Sequence, residues 1–336
     1  MGDFFLKNRC YLMMKLDLDR VVLYKELGKS IPFKELTLNK KIGSGYFGEV
    51  WAGNWNQMDD PVAIKVCDSK TLPKSIAPTL NNIFKATHPN IIITYGICDD
   101  PGKFSIIMEL MDTSVHDYYY NKECNMNYPK INNSFRNQIG NQVSAGLLHL
   151  HSINIAHPTL KSKSILLRFL PGGKIEVKLS SFGCEGLRIA IGDFASCRPD
   201  ATVRWRSIES FHPHDKNNVK VMQMADIYSY GVLLWELYAM RLPFAEHQED
   251  QVVKILRAGG HETIPDNFPK CVKELINKCW ERNPEKRPTA REVKDEMGKI
   301  TSEAMRRDRH ALIPYVFADT HKNVVSLIQN ILVRCI

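Results

Sequence analysis

Residues 42–50 read IGSGYFGEV, a glycine-rich loop between two stretches with alternating apolar residues. The preceding ELTLNKKI and the following VWAGNW have the period-two pattern that is typical of β-strands. The loop is therefore predicted to join two strands, which argues against a dinucleotide site between a strand and a helix. Its glycines, Gly43, Gly45 and Gly48, would let the backbone approach a phosphate closely, although turn glycines are common and the motif alone is weak.

A single lysine follows in the next predicted strand. The segment PVAIKV, residues 61–66, is β-branched and apolar apart from Lys65 and Pro61. A glycine hairpin followed by such a strand indicates a phosphate clamp, because lysine offers a compact cation to the α- and β-phosphates. A strand with one lysine that extends to solvent is the simpler explanation of this segment taken alone.

Composition limits the class of protein. The chain has 336 residues, 44% of them hydrophobic and 24% charged, as in ordinary folded domains. The formal net charge is +8, but the basic residues are dispersed along the chain, which argues against nucleic-acid binding. The nine cysteines lack C-x-x-C spacing, so reduced thiols are expected. Charges interrupt the N-terminal apolar runs, and no uncharged apolar stretch reaches about 18 residues, so neither a signal peptide nor a membrane span is predicted.

Further motifs follow Lys65 in a fixed order. They are HPNI (88–91), FSIIMELMD (104–112), GLLHLHSINIAH (146–157), VKLSSFG (177–183), VRWRSIES (203–210), ADIYSYGVLLWEL (225–237) and CWERNPEKRPT (279–289). With the glycine loop and V-A-I-K at 62–65, this series resembles the protein kinase superfamily. It is most similar to the tyrosine-kinase-like group, including the receptor-interacting and mixed-lineage kinase domain-like branches.

The resemblance implies an α+β, bilobal protein-kinase fold. Its N-lobe is a small antiparallel β-sheet with one helix, and its C-lobe is mainly helical. The implied domain limits are an N-terminal extension (1–34), a kinase-like domain (35–300) and a C-terminal helical tail (301–336). Within the domain, the N-lobe covers 35–108, the hinge 109–111 and the C-lobe 112–300. Helical apolar spacing in both terminal segments predicts helices that pack on the domain or bind a partner.

The resemblance also implies a nucleotide site between the lobes. The candidate contact residues are Ile42, Gly43, Gly45, Gly48, Val50, Ala63, Lys65, Met108, Glu109, Met111 and Leu166. Val50 and Ala63 would cover the purine, Leu166 would lie beneath it, and the hinge backbone would bind its edge. Any ATP binding is expected to be weak and independent of Mg²⁺, and no metal is expected.

The catalytic positions depart from the family pattern. HPTLKSKSILL, residues 157–167, stands where H-R-D-L-x-x-x-N is expected. Thr159 occupies the base position, and Ser164 and Ser181 occupy the two metal-ligand positions. A neutral hydroxyl has no useful basicity near pH 7, and Mg²⁺ prefers carboxylate oxygens. Thr79 falls where the glutamate partner of Lys65 is expected.

Two charged residues, Lys161 and Asp193, are further candidates for roles in the chemistry. Lys161 matches a family position that often touches the γ-phosphate. Asp193, in GDFAS, is an alternative metal ligand, but it lies a dozen residues beyond Ser181, and this spacing argues against it.

Residues that support the fold are retained. The resemblance implies a buried pair between Glu209 and Arg287. It also implies that Asp226 anchors the catalytic loop, which is the HPTLKSKSILL segment (157–167). His157 and Phe182 match core residues of the family. Retained structure with altered chemistry predicts a stable kinase fold.

These departures predict a pseudokinase that is not an enzyme. It would act as a signalling scaffold or allosteric partner of an active kinase, with a kinase or another signalling protein as its partner, in the cytoplasm. It would bind no nucleic acid and would not span a membrane. The alternative is an active Ser/Thr or Tyr protein kinase that transfers the γ-phosphate of ATP with displaced catalytic residues. A nucleotide-sensing switch is a third reading, compatible with the first.

Overall fold

The N-terminal part of the chain forms a five-stranded antiparallel sheet. The computed structural model describes residues 30–45, 48–67, 77–100, 103–121, 131–180, 203–211, 218–304 and 306. The strands are β1 (Leu36–Gly45), β2 (Gly48–Trp55), β3 (Val62–Cys67), β4 (Thr94–Asp100) and β5 (Lys103–Glu109). They lie in the order β1-β2-β3-β5-β4, and every neighbouring pair is antiparallel.

The two faces of this sheet have different partners. Val62 and Ile64 are fully buried in an apolar cluster on one face. On the other face, Ile106 packs with Leu80 of helix α1 (Ala77–Lys85). Side chains alternate between the faces of a strand, so the apolar residues of β3 and β5 serve both clusters.

The described residues before β1 pack along β4. The Ile31 N–H donates to the Ile97 carbonyl at 2.7 Å, and the Phe33 N–H donates to the Asp100 carboxylate at 2.8 Å. The helix predicted before residue 30 and the one predicted near the end of the tail lie outside the described residues.

Helices make up most of the C-lobe. They are α2 (Val115–Tyr120), α3 (Asn133–Ser152), α4 (Val219–Ala239), α5 (Glu249–Arg257), α6 (Lys270–Cys279) and α7 (290–304). Every residue of α4 from Ala225 to Tyr238 is buried, as expected for the central helix of a lobe. Gly231 of α4 allows close packing on α6, because a Cβ atom there would lie 2.7 Å from the Cβ of Cys279. None of the described helices is long and apolar enough to cross a membrane.

A second, three-stranded sheet lies where the lobes meet. It consists of β6 (Thr113–Ser114), β7 (Ile165–Leu170) and β8 (Lys174–Leu179). Asn90, in the loop before β4, donates to the Val177 carbonyl at 2.9 Å and to Gln142 of α3 at 3.0 Å. Its own carbonyl accepts from the Leu179 N–H at 2.9 Å. These bonds fasten the N-lobe to the C-lobe, and the predicted bilobal α+β fold is confirmed.

Candidate functional site

The glycine loop is a β-hairpin, as its sequence predicts. Gly43 pairs with Val50, and Gly45 pairs with Gly48. Gly48 has a φ of 126°, and a Cβ atom there would lie 1.9 Å from the Val66 carbonyl oxygen. A side chain at this position would therefore clash with the backbone of β3. Gly43 has room for a methyl group, because its nearest neighbour would be the Val50 Cβ at 3.8 Å.

Lys65 lies in the middle of the sheet. It pairs with Val50 of β2 on one side and with Ile106 of β5 on the other. Ala63 precedes it by two residues and pairs with Met108, so all of these residues share one face of the sheet. Met108 also packs against the main core of the C-lobe. The face that carries Lys65 is therefore the face turned toward the second lobe.

The hinge begins at the end of β5. The Glu109 N–H donates to the Ile93 carbonyl at 3.0 Å, and the Glu109 carboxylate accepts from the Ile93 N–H at 2.7 Å. Met111 is buried, and the Asp112 N–H donates to the Leu167 carbonyl of β7 at 2.9 Å. Both ends of the hinge are thus held by backbone hydrogen bonds.

The predicted nucleotide contacts come from three parts of the fold. Ala63 and Met108 belong to the N-lobe sheet, Met111 to the hinge and Leu166 to β7. Leu166 is half-buried against the core of the C-lobe, as expected for the floor of a cleft. Ile42 is 46% exposed, which leaves its side chain open toward solvent. The assignment of these residues to ATP stays a prediction.

Asp226 of α4 anchors the catalytic loop. Its Oδ2 accepts hydrogen bonds from the His157 N–H at 2.7 Å and from His151 Nε2 at 2.9 Å. His157 is fully buried, and burial lowers its pKa. Its Nε2 lies 2.9 Å from the Ser180 carbonyl, so the neutral ring donates there. The predicted anchoring role of Asp226 is confirmed.

Ser164, at a predicted metal-ligand position, uses its hydroxyl within the loop. The Oγ accepts from the Lys161 N–H at 3.0 Å and lies 2.8 Å from the Lys161 carbonyl and 3.2 Å from the Thr159 carbonyl. A hydroxyl has one proton and two lone pairs, so these bonds occupy most of its capacity. Mg²⁺ prefers carboxylate oxygens, so the engaged hydroxyl of Ser164 does not suit the metal-ligand role expected at this position.

The structure describes only some of the other residues that the predicted chemistry involves. Ser181, Phe182 and Asp193 lie outside the described residues. Thr79 lies in helix α1, whose sequence APTLNNIFK contains no acidic residue. This helix therefore cannot supply a carboxylate to Lys65.

Glu209 and Arg287 form the buried ion pair that the resemblance implies. The two guanidinium NH groups of Arg287 donate to the two carboxylate oxygens of Glu209, the second of them at 3.3 Å. Arg287 also donates to the carbonyls of Met224 at 2.9 Å and Glu281 at 2.7 Å. The pair ties the segment before α4 to the segment before α7, and the prediction is confirmed.

Another buried carboxylate, that of Glu236 in α4, is not predicted by the sequence motifs. It accepts hydrogen bonds from Trp205 Nε1 at 2.8 Å and from the Tyr120 hydroxyl at 3.0 Å. Burial raises the pKa of Glu236 to about 7, against the opposing effect of its hydrogen-bond donors. The signal in the sequence was one acidic residue within the apolar run GVLLWELY.

The fold agrees with a family comparison. Residues 36–297 match the sequence model of the protein tyrosine and serine/threonine kinases. The chain belongs to this family, and the predicted protein kinase resemblance is confirmed.

Individual relatives are similar over most of the chain. The dual specificity protein kinase pyk3 of Dictyostelium discoideum is 28% identical over 283 residues, which cover 83% of this chain and 20% of that protein. The dual specificity protein kinase shkA of the same organism is 30% identical over 303 residues, covering 86% and 54%. The tyrosine-protein kinase transforming protein Abl of Abelson murine leukemia virus is 28% identical over 264 residues, covering 77% and 33%. The chain spans about a fifth to about half of the length of these relatives.

The prediction that the chain is not an enzyme is wrong. The relatives are named as dual specificity, serine/threonine and tyrosine protein kinases, and the family model describes such kinases. The prediction rests on single side chains at Thr159, Ser164 and Ser181. Phosphoryl transfer depends mainly on positioning and electrostatic stabilisation, which single side chains do not report.

Proposed function

We propose that the chain is a protein kinase that transfers the γ-phosphate of ATP to a Ser, Thr or Tyr hydroxyl of a protein substrate. The observation that carries the proposal is that Lys65 lies on the sheet face turned toward the second lobe, in a fold whose loop after His157 is anchored by Asp226. In a kinase fold, a lysine and a loop of this kind serve to position the phosphate donor and the acceptor, and this supports the proposal. The names of the relatives support the same activity.

The reaction needs little covalent help from the protein. The acceptor oxygen forms a bond to the γ-phosphorus while the bond from this phosphorus to the β–γ bridging oxygen breaks, and ADP leaves. In a loose transition state the acceptor hydroxyl keeps its proton until late, and the proton then passes to an oxygen of the transferred phosphoryl group. A strong base at Thr159 is therefore not required, although its absence lowers the rate.

Two lysines supply the positive charge in this proposal. Lys65 neutralises the α- and β-phosphates from the N-lobe sheet. Lys161 follows Thr159 by two residues and, by resemblance, reaches the γ-phosphate. Oriented cations of this kind stabilise the charge that spreads over the phosphoryl oxygens in the transition state.

We further propose that ATP binding is weak and independent of Mg²⁺. The support is the chemistry of the predicted metal-ligand positions, since Ser164 and Ser181 carry hydroxyls and the Ser164 Oγ is engaged by the loop backbone. No step of the proposed reaction passes through a metal ion. A protein substrate in a cytoplasmic signalling process fits this activity.

Matched lysine variants test the proposal. Purified wild-type chain is incubated with radiolabelled ATP and generic protein substrates, beside Lys65→Met, Lys161→Met and Lys254→Met. Lys254 is a control on α5, 77% exposed and 3.5 Å from Asp250 of the same helix. We expect Lys65→Met to lower transfer by about 10²- to 10³-fold and Lys161→Met by at least about tenfold, with no change for Lys254→Met. Equal transfer by wild type and Lys65→Met would refute the proposal.

A further inference from the structure

Four charged side chains form a network behind the hinge. The Lys178 ammonium lies 2.7 Å from Glu109 Oε1 and 3.4 Å from Glu176 Oε1. Arg168 donates to Glu176 Oε2 at 2.8 Å and to Glu109 Oε2 at 3.3 Å. Lys178 and Glu109 are both buried. Two cations therefore balance two carboxylates, as buried charges require.

Arg168 also binds the hinge backbone directly. Its NH2 group donates to the Leu110 carbonyl at 2.7 Å, and two residues later the Asp112 N–H donates to the Leu167 carbonyl. Both contacts fix this side of the hinge against β7. The two contacts thus flank Met111, the hinge residue that is predicted to contact a nucleotide.

The same face of β7 carries the predicted floor of the nucleotide site. Leu166 pairs with Lys178, and Arg168 pairs with Glu176, so these four side chains share one face of the β7–β8 hairpin. Leu167 points to the opposite face and is fully buried in the core of the C-lobe. Arg168 and Leu166 lie on the same strand, β7, and the buried side chain of Leu167 between them anchors this strand in the core. The position of Arg168 relative to Leu166 is therefore fixed.

We propose that Arg168 is a positioning residue for the purine of a bound nucleotide. It holds the Leu110 carbonyl from behind, and this fixes the hinge backbone beside Met111. Arginine suits this role, because its planar fork binds a carboxylate and a carbonyl at the same time in a fixed geometry. The inference deepens the proposed function and rests on its nucleotide site, but it does not depend on phosphoryl transfer.

Separate binding of the two halves of ATP tests this role. Calorimetry on the full chain measures the affinities for adenosine, ATP and tripolyphosphate. We expect Arg168→Gln to weaken adenosine and ATP by about tenfold and to leave tripolyphosphate unchanged, because coupling through a contact network is of this size. Lys65→Met should weaken the binding of tripolyphosphate and leave the binding of adenosine unchanged. Arg241→Gln is the control, since Arg241 is 49% exposed and 3.1 Å from Glu262, far from the hinge in the sequence.

A second variant keeps the test valid if Arg168→Gln does not fold. Glu176→Gln leaves Arg168 in place and removes one of its anchors, so we expect a loss of about threefold in adenosine affinity with the same selectivity. The melting temperature is recorded for each variant. A lower Tm with unchanged adenosine affinity, an equal loss for tripolyphosphate, or a wild type that binds no adenosine would each overturn the proposal. The expected adenosine pattern in a chain without phosphoryl transfer would support the positioning role and refute the proposed function alone.

Discussion

Replacing Glu236 by glutamine is expected to change how the stability of the protein depends on pH. Glu236 is fully buried and accepts hydrogen bonds from Trp205 and Tyr120. Burial raises its pKa from 4.5 to about 7. A carboxyl group whose pKa is higher in the folded state binds its proton more tightly there. It therefore favours folding at low pH, and this contribution is lost as the pH rises toward the folded pKa.

The size of the effect follows from the shift in pKa. The rise from 4.5 to about 7 corresponds to about 3 kcal/mol in the free energy of unfolding, at 1.36 kcal/mol for each pKa unit. Most of it, about 2–3 kcal/mol, is lost between about pH 5 and pH 8. Glutamine keeps the shape of the side chain and does not titrate, so Glu236→Gln lacks this loss.

Urea denaturation followed by circular dichroism measures the effect. Wild type and Glu236→Gln are unfolded at several values between about pH 5 and pH 8. The two chains share every other titrating group, so the difference between their unfolding free energies isolates Glu236. We expect the unfolding free energy of wild type minus that of Glu236→Gln to fall by about 2–3 kcal/mol between about pH 5 and about pH 8. A difference that stays constant, or that grows with pH, would refute the reasoning.

Three other substitutions have defined outcomes. Gly48→Ala is expected to weaken ATP binding by at least about tenfold through its clash with β3, whereas Gly43→Ala has room and should have little effect; equal affinities in calorimetry would contradict this. Glu209→Ala leaves Arg287 buried without its carboxylate, so urea denaturation should show a loss of about 3–5 kcal/mol, and a loss below about 1 kcal/mol would be inconsistent with the buried pair. Met240→Gly, at the left-handed end of α4 with a φ of 53°, should raise the unfolding free energy by about 1 kcal/mol, and no gain in the same assay would argue against strain there.

The residues that support the site could be predicted because they belong to local sequence motifs. The glycine loop, Lys65 and Asp226 each stand within a short pattern whose period or spacing indicates a particular turn, strand or helix. The Glu209–Arg287 pair was also accessible, because both residues stand within motifs of the resemblance. Order along the chain was sufficient to place these residues.

Contacts between distant residues could not be predicted in the same way. Arg168 and Glu109 are 59 residues apart, and Tyr120 and Glu236 are 116 apart. Nothing local to either residue shows that folding brings them together, since tertiary packing decides which charges are buried in contact. In β7 and β8, charged residues alternate with apolar ones, and this pattern indicates which side chains share a face of the strand. It does not indicate which distant residues contact that face.

The wrong prediction about catalysis has a related cause. The basicity of Thr159 and the metal affinity of Ser164 are properties of single side chains. The rate of phosphoryl transfer depends on the joint positioning of donor, acceptor and cations, which single positions in a sequence do not report.

Radiolabelled phosphate transfer from ATP, with Mg²⁺ and with excess EDTA, tests the central claim most directly. Wild type and Lys65→Met are purified in the same way, so that any contaminating kinase contributes equally to both. The proposed kinase activity predicts transfer by wild type under both conditions and a loss of about 10²-fold or more in Lys65→Met. A wild-type signal no greater than that of Lys65→Met would contradict the activity, and a signal confined to Mg²⁺ would contradict its independence from metal.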